Sequence, residues 1–233
     1  MSADVVAIIP ARGGSKRIPG KNIKDFNGRP IISWPIRACM GMEATTKVVV
    51  STDSEEIAGI ALVHGAEAPF LRPDELASDT AGTAPVIRHA IEALGLGPNQ
   101  LVICVYPTAV IETSFLDGAL RQAQSEPLLN RFIISVGRHR SPLERALGES
   151  KDGLFHLLNP EALLSRTQDL PQRYFDAGKF YLATAQKWME QETMMAEPFI
   201  PYFLPDWATV DIDEPQDWVV AEALHRSFSP MAT

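Results

Sequence analysis

A loop rich in cations and glycine carries the strongest chemical signal in this sequence. Residues 10–22 read PARGGSKRIPGKN, with four cations, three glycines and two prolines, and no acid lies between Asp4 and Asp25. Glycine and proline favour a loop, in which backbone N–H groups can approach an anion while Lys and Arg supply charge. The pattern predicts a polyphosphate site with Arg12, Lys16 and Lys21 as its charged groups. A solvated basic loop is the alternative.

The loop differs from two common nucleotide-binding motifs. A Walker A motif has four residues between its glycines and Ser or Thr after its Lys. Here five residues separate Gly14 from Gly20, and Asn22 follows Lys21. The dinucleotide fingerprint G-x-G-x-x-G does not occur either. The loop therefore predicts a phosphate site of another kind.

Two acids near the end of the chain are candidate metal ligands. If residues 209–213 are extended, Asp211 and Asp213 project from one face. Paired carboxylates suit Mg²⁺ that is held together with substrate phosphates. Asp213 can also be read as the N-cap of a helix with Pro215 in its first turn, and both roles can coexist. Beside the cationic loop, the pair predicts a Mg²⁺ site.

Apolar patterning indicates the elements that must position these residues. The run from Val5 to Ile9 predicts a buried strand just before the loop, and open α/β sheets bind ligands at such carboxyl ends. Thr52-Asp53-Ser54 predicts a capped helix start, with Asp53 read as the N-cap. Further strands are predicted at 47–51, 101–105, 132–136 and 180–183, an extended piece at 197–204, and helices at 33–42, 55–65, 84–94, 113–124 and 218–224.

The residues at 9–22, IPARGGSKRIPGKN, resemble the first motif of the acylneuraminate cytidylyltransferases, the CMP-sialic acid synthetase family. The related KDO cytidylyltransferases have a similar loop but usually place Pro where Asn22 stands. The resemblance extends, with gaps, over nearly the whole chain. It implies an α/β fold, with a single Rossmann-like nucleotidyltransferase domain over 1–233. It also implies a mostly parallel sheet flanked by helices and an inserted dimerisation subdomain at 139–175.

The resemblance also implies a reaction and a nucleotide site. CTP and a nonulosonic acid, a nine-carbon acidic sugar, would give a CMP-sugar and pyrophosphate, with Mg²⁺ as cofactor and a homodimer sharing its active site. The segment from Leu76 to Thr83, in which small residues dominate, resembles the base-recognition loop, with Arg72 and backbone groups near Ala81 and Thr83 reading cytosine. A simple capped helix start is the alternative. The implied nucleotide-binding residues are Ala11, Gly13, Ser15, Asn22, Arg72, Ala81 and Thr83.

The sugar side of the site departs from the sialic acid synthetases. Most of those enzymes have Gln-Pro-Thr-Ser where this chain has Tyr106-Pro107-Thr108-Ala109, whereas pseudaminic acid cytidylyltransferases show Tyr-Pro-Thr-Ala. Asp176 also replaces the usual Asn, as in the pseudaminic acid enzymes. The implied sugar-binding residues are Tyr106, Thr108, Arg166 and Asp176. Tyr106 can instead be an ordinary strand-end aromatic, and Arg166 half of a surface salt bridge.

Pseudaminic acid is therefore the preferred acceptor, with N-acetylneuraminic or legionaminic acid next. A nucleotidyltransferase for a sugar phosphate and a nucleotide-binding module without catalysis remain open. The five histidines, His64, His89, His139, His156 and His225, lie in no recognisable catalytic context, so no general base is assigned.

Composition limits the other function classes. The 233 residues carry a formal net charge of −8, which argues against general attraction to nucleic acid or membranes. No secretory signal and no apolar run of about 20 residues is found. Cys39 and Cys104 lie far apart in apolar contexts and predict buried thiols rather than a disulfide. We expect a cytoplasmic protein.

Overall fold

The apolar runs and amphipathic segments of the sequence fold into one central sheet with helices on both faces. The computed structural model describes residues 4–78, 81–125 and 131–228. The strands are β1 Val5–Pro10, β2 Asp25–Phe26, β3 Arg29–Pro30, β4 Thr45–Ser51, β5 Leu101–Val105, β6 Ile133–Arg138, β7 Leu147–Glu149, β8 Phe155–Leu157, β9 Tyr174–Thr184 and β10 Ile200–Phe203. The helices are α1 Ser33–Met40, α2 Glu55–Val63, α3 Asp74–Ala77, α4 Thr83–Leu94, α5 Thr113–Ser125, α6 Ala185–Glu190 and α7 Pro215–Phe228.

The six main strands form a mostly parallel sheet, which confirms the predicted fold class. Their order is β10-β6-β9-β5-β1-β4, and β9 runs antiparallel to both of its neighbours while the other pairs are parallel. The chain passes from β1 to β4 on one side and then to β5 on the other. This reversal leaves a crevice at the carboxyl ends of β1 and β5, where doubly wound sheets bind ligands.

Both faces of the sheet are buried, as the near-continuous apolar strands predict. Along β1, Val5, Ala7 and Ile9 pack on the face covered by α1, α2 and α5. Val6 and Ile8 point to the other face, where they pack with α4 and α6. This alternation fixes which residues of β1 point into each layer, so the loop after Pro10 leaves the sheet at a defined place.

A third apolar cluster joins the two ends of the chain beside that crevice. The short β2–β3 hairpin and α7 bury Phe26, Trp34 and Trp218 together with Ile18 of the cationic loop and Ile212. Rings of Phe26 and Trp218 meet edge to face at 5.5 Å. The cluster therefore brings the segment containing the two candidate metal ligands next to the cationic loop.

The inserted segment at 139–175 contains the β7–β8 hairpin and several single helical turns. Its outer surface carries exposed apolar side chains, among them Leu147, Leu158 and Leu164. A role in dimerisation stays a prediction. Within the described ranges, no helix combines the length and apolar composition that crossing a membrane requires.

Candidate active site

One cavity lies where the carboxyl ends of β1 and β5 meet the start of α4. Its volume is about 260 Å³. The cationic loop, the small residues before α4 and the segment after β5 all contribute to its wall. Nine of the predicted site residues line it: Arg12, Ser15, Lys21, Asn22, Arg72, Ala81, Thr83, Tyr106 and Thr108. The structure therefore brings the predicted phosphate, base and sugar groups to a single place.

The cationic loop is held in shape by a helical turn and by a hydrogen bond within the loop. Gly20 adopts the left-handed conformation, with φ of 63°, and starts a helical turn over Lys21–Ile23. The buried side chain of Asn22 donates from Nδ2 to the Arg12 carbonyl at 2.9 Å. Lys16 lines a second space of about 250 Å³ together with Arg12 and Lys21. All three predicted phosphate cations thus line two clefts that share Arg12 and Lys21 in their walls.

Asp53 supports the cationic loop through a hydrogen bond to its backbone. It is not the N-cap of α2. Its Oδ1 accepts a hydrogen bond from the Gly13 amide at 2.9 Å. Ser54 is the N-cap instead, since its Oγ accepts from the Ile57 amide at 3.3 Å. The predicted cap at Asp53 was therefore wrong. A Cβ on Gly13 would lie 3.3 Å from Cβ of Ser54, so a glycine suits this close approach. Ala11 is fully buried behind the loop and does not line the cavity.

Arg72 is a buried cation in the wall of the cavity. It donates to the carbonyl and hydroxyl oxygens of Ser51, and from Nη1 to the Leu76 carbonyl at 3.3 Å. Burial lowers the pKa of Arg72, and the nearby Asp53 carboxylate opposes that shift. Because a guanidinium has five donors, donors remain for a ligand base.

The predicted base-recognition loop ends at the N-terminus of α4, which has no side-chain cap. Gly82 is the N-cap of α4 and provides no side-chain hydrogen bond, so the first amides of the helix lack a side-chain cap. Ala81, Gly82 and Thr83 all face the cavity. Amides at such a position can donate to acceptor atoms of a base. Asp79 and Thr80 of the predicted loop lie outside the described residues.

On the sugar side, Tyr106 is held by a hydroxyl group rather than by packing alone. Its OH lies 2.8 Å from Oγ1 of Thr83. Its ring contacts that of Tyr181 at 5.7 Å, and the Tyr181 hydroxyl donates to Oδ2 of Asp176 at 2.6 Å. Burial raises the pKa of Tyr106 to about 12, so the phenol stays neutral. Two predicted sugar-side residues, Tyr106 and Asp176, are thus connected through Tyr181.

Arg166 lies apart from the cavity in the single chain. It forms an exposed ion pair with Asp169, with Nε 2.8 Å from Oδ2, on the inserted segment. The surface salt bridge considered above describes this geometry. Contact between Arg166 and a sugar carboxylate stays a prediction.

The carboxylate of Asp213 faces the cationic loop. Its Oδ1 lies 2.7 Å from Nη2 of Arg17 and 3.7 Å from Nζ of Lys21. Asp211 is exposed, and Ile212 between them is buried. A buried residue thus separates the two aspartates, and residues 209–213 join no strand. That both carboxylates project from one face stays a prediction.

The predicted N-cap role of Asp213 was wrong. Because α7 begins at Pro215, the cap position belongs to Glu214. Oδ2 of Asp217 accepts from the amides of Asp213 at 3.0 Å and of Glu214 at 2.8 Å, as the third residue of a capping box does. These bonds hold the pKa of the Asp217 carboxyl below its ordinary value. The carboxylate of Asp213 is left to face Arg17 and Lys21.

The arrangement fits a divalent ion that is shared with a phosphate ligand. Asp213 already has cations opposite its carboxylate, and Asp211, two residues earlier in the chain, is exposed. Among the described residues, no group of three or more His, Cys, Asp or Glu side chains forms a metal cage. Mg²⁺ is commonly bound through one or two carboxylates plus substrate phosphates, which matches this set.

Lys179 is a site residue that sequence reasoning missed. It is 3% exposed, and its Nζ donates to the Val210 carbonyl at 2.5 Å. Burial lowers the pKa of Lys179 to about 8, and the Asp211 carboxylate opposes that shift. Lys179 directly precedes the buried run 180–183 of β9, and this was the signal available in the sequence, because an unpaired buried ammonium is costly.

The chain is similar in sequence and in fold to known cytidylyltransferases. The cytidylyltransferase family pattern matches residues 6–204. The chain is 37% identical to a pseudaminic acid cytidylyltransferase of Campylobacter jejuni, covering 95% of this chain and 96% of that protein. It is 32% identical to a CMP-N,N'-diacetyllegionaminic acid synthase of Legionella pneumophila, covering 94% and 95%. The solved CMP:2-keto-3-deoxy-manno-octonic acid synthetase complexed with CTP has the same fold, with a TM-score of 0.70 at 16% identity, covering 97% and 99%.

Proposed function

The chain belongs to the cytidylyltransferase family, and from that membership we propose that it transfers CMP from CTP to a nonulosonic acid. The acceptor would be the anomeric hydroxyl at C2, and pyrophosphate would be released. The observation that carries the proposal is the single cavity shared by the cationic loop, the open start of α4 and Tyr106. This arrangement offers adjoining sites for a triphosphate, a base and an acceptor sugar.

The reaction is an in-line displacement at phosphorus. The C2 oxygen bonds to the α-phosphorus, the bond from that phosphorus to the bridging oxygen breaks, and pyrophosphate leaves with the electron pair. The C2 hydroxyl loses its proton in the same overall change. Positioning and charge neutralisation do most of the work in such steps. Among the described residues, those lining the cavity include no histidine, so a histidine base is not part of the proposal.

Arg12, Lys16 and Lys21 bind the triphosphate and stabilise the leaving pyrophosphate. At an effective dielectric near 20, one cation about 4 Å from an anionic oxygen gains roughly 4 kcal/mol before desolvation. Several such contacts around one cleft can offset the charge of CTP. Arg72 and the amides near Ala81 and Thr83 bind the cytosine, whose O2 and N3 are acceptors.

Asp211 and Asp213 would hold Mg²⁺ beside the phosphates. A bound Mg²⁺ would supply Lewis-acid polarisation of the α-phosphate. Lys21 fits between these two parts of the site, because its Nζ lies 3.7 Å from Asp213 while its side chain lines the cavity.

Pseudaminic acid is the preferred acceptor. Tyr106, Ala109 and Asp176 are among the positions where the chain departs from the sialic acid pattern, and the C. jejuni relative named above is a pseudaminic acid cytidylyltransferase. The hydroxyl contact with Thr83 holds Tyr106 at the cavity wall, where an aromatic ring can pack against a deoxy or N-acyl face of the sugar. Legionaminic and N-acetylneuraminic acid are the alternatives.

The proposal includes a homodimer formed through the inserted segment 139–175. Leu164 is 92% exposed, and Leu158, Leu163 and Phe155 are also exposed on that segment. Several exposed apolar side chains on one segment favour an interaction surface there. Arg166 lies on the same segment, so it would approach a site only across such an interface. The two buried cysteines agree with a cytoplasmic location, which is likewise part of the proposal.

A panel of acceptors tests the function directly. Purified protein is mixed with CTP, Mg²⁺ and pseudaminic, legionaminic or N-acetylneuraminic acid, and pyrophosphate release is measured while mass spectrometry identifies the product. We expect the highest kcat/KM with pseudaminic acid and a CMP-sugar as product. A product that retains two phosphates would indicate a sugar-phosphate nucleotidyltransferase. Tight CTP binding without turnover on any acceptor would support a binding module instead.

A further inference from the structure

We propose that Lys179 is a positioning residue whose buried ammonium fixes the segment that carries Asp211 and Asp213. It would keep this role when Lys21 turns to the phosphates of CTP. The inference rests on the proposed metal and triphosphate site, and it concerns a residue outside the cationic loop. It assigns a task to a charge that is buried in the central sheet.

Two lysines hold alternate carbonyl groups of the segment. Nζ of Lys179 donates to the Val210 carbonyl at 2.5 Å, and Nζ of Lys21 donates to the Ile212 carbonyl at 2.7 Å. The Ile212 side chain, 1% exposed, packs in the apolar cluster with Trp218. Residues 209–213 belong to no strand, so no ladder of backbone hydrogen bonds holds them. The two lysine bonds hold this segment instead.

The two lysines differ in whether a phosphate ligand can reach their ammonium groups. Lys21 lines the cavity, and its Nζ also lies 3.7 Å from a carboxylate oxygen of Asp213. A bound phosphate therefore competes with the Ile212 carbonyl for the same ammonium. Lys179 is 3% exposed and does not line that cavity, so an incoming triphosphate leaves its bond to Val210 intact. A charge-assisted bond of this kind is strong in a buried setting.

The anchor itself is rigid. Lys179 lies on β9, between β5 and β6. Its backbone carbonyl accepts from the Tyr106 amide at 3.0 Å, and its amide donates to Oγ of Ser135 at 3.0 Å. The segment with the two aspartates is thereby positioned relative to the same strands as the proposed sugar-side residue. When a group that orients metal-binding side chains is removed, the affinity of the site for its metal ion falls.

The test uses Lys179→Met, which keeps the length of the side chain but removes the ammonium. Lys179→Gln, which keeps a donor without the charge, is the rescue variant, and Lys187→Met on α6 is the matched control. Hydrogen exchange of peptides covering 206–213 is measured with and without CTP. Mn²⁺ binding in the presence of CTP is measured by electron paramagnetic resonance, with no sugar present, so turnover does not intervene.

We expect exchange in Lys179→Met to rise about tenfold with CTP bound and much less without it, because Lys21 still binds Ile212 in the free protein. Mn²⁺ affinity should fall about tenfold or more, while CTP affinity without metal stays within about twofold. Lys179→Gln should recover part of both losses, and Lys187→Met should match the wild type.

Wild-type exchange in Lys179→Met with CTP bound would overturn the proposal. So would tighter Mn²⁺ binding in both Lys179 variants, since Lys179 would then act only as a like charge that repels the metal. If the wild type binds no Mn²⁺, the proposed metal site fails, whereas the exchange measurement still decides whether Lys179 holds the segment. Should Lys179→Met not fold, the same two measurements on Lys179→Gln decide. A partial rise in exchange with CTP bound, together with weaker Mn²⁺ binding, would support the proposal, whereas exchange and Mn²⁺ affinity equal to those of the wild type would overturn it.

Discussion

The hydroxyl of Tyr106 lies 2.8 Å from Oγ1 of Thr83, and this contact joins the end of β5 to the first residue of α4. Thr83 belongs to the predicted base-recognition loop, and Tyr106 to the predicted sugar side. The wall between the two proposed subsites is therefore one hydrogen-bonded pair. A change at Tyr106 should affect the acceptor more than the nucleotide, because Tyr106 contacts the side chain of Thr83, whereas Arg72 and backbone amides are proposed to bind the base.

Tyr106→Gln is expected to change which sugar is accepted. We expect kcat/KM for the best wild-type acceptor to fall about tenfold or more, while the dissociation constant for CTP changes less than about threefold. Pyrophosphate release across the acceptor panel and calorimetry with CTP measure the two effects. Tyr202→Phe, on β10, is the control. An unchanged acceptor profile together with weaker CTP binding would contradict this assignment.

Asp53→Ala and Ser54→Ala should separate support of the cationic loop from capping of α2. Ser54→Ala removes the cap and should cost about 1 kcal/mol in the free energy of unfolding, with CTP affinity unchanged. Asp53→Ala removes the acceptor of the Gly13 amide and should weaken CTP binding by roughly fivefold to tenfold. Urea unfolding and CTP titration measure both variants. Equal CTP affinity in the two variants would show that Asp53 does not support the cationic loop.

Asp211→Ala should abolish metal-dependent turnover in a folded protein. Loss of one of two carboxylates should lower kcat by about 100-fold or more, because the α-phosphate would lose its polarising ion. Activity is titrated with Mg²⁺, and circular dichroism checks folding. Asp206→Ala, which breaks only an exposed ion pair with Arg140, should keep nearly full activity. Wild-type activity in Asp211→Ala would exclude that residue from the metal site.

His225 should make the stability of the protein depend on pH. It is buried, and its Nδ1 lies 3.0 Å from Nδ2 of Asn27, whose Oδ1 accepts from Arg226 at 2.7 Å. The side-chain amide of Asn27 therefore points its NH₂ group toward the imidazole of His225. Nδ1 of His225 must be unprotonated to accept this hydrogen bond. Burial, aided by Arg226 and Arg29, lowers the pKa of His225 from 6.5 to about 4.

Because this folded pKa lies below the unfolded value, the stabilising contribution is complete above about pH 6.5. It is lost as the pH falls from there to about 4. At pH 5 the loss should be roughly 2 kcal/mol in the free energy of unfolding. Urea unfolding at pH 7.5 and 5.0 measures it in the wild type, in His225→Gln and in the exposed-residue control His156→Gln. A pH dependence that persists unchanged in His225→Gln would show that other groups cause it.

Leu164→Asp is expected to disrupt the proposed dimer. A carboxylate at this exposed apolar position would be buried unpaired in an interface, so dimer affinity should fall at least about tenfold. Val63→Asp on α2, at a position 82% exposed, is the matched control. Light scattering after gel filtration measures the mass of each variant. A dimer that survives Leu164→Asp unchanged would remove this part of the inserted segment from the interface.

The sequence predicted the sheet, most of its helices and the cationic loop because those features depend on local patterns. The short apolar run of β1 and the helical spacing of apolar residues in the helices are signals that each segment carries by itself. The composition of residues 10–22 similarly indicated a phosphate site without any knowledge of neighbouring chain. Predictions failed where a polar side chain had a choice of partners, as with the caps assigned to Asp53 and Asp213.

What the sequence by itself determined is therefore the set of elements and the chemistry of the loop after β1. Only the tertiary structure decided how the remaining charges are paired. Lys21 contacts the carbonyl of Ile212 across 191 positions of the chain, and Asp53 meets Gly13 across 40. The physical reason is that a hydrogen bond depends on distances of about 3 Å between atoms, and those distances are set by packing of the whole fold rather than by spacing along the chain.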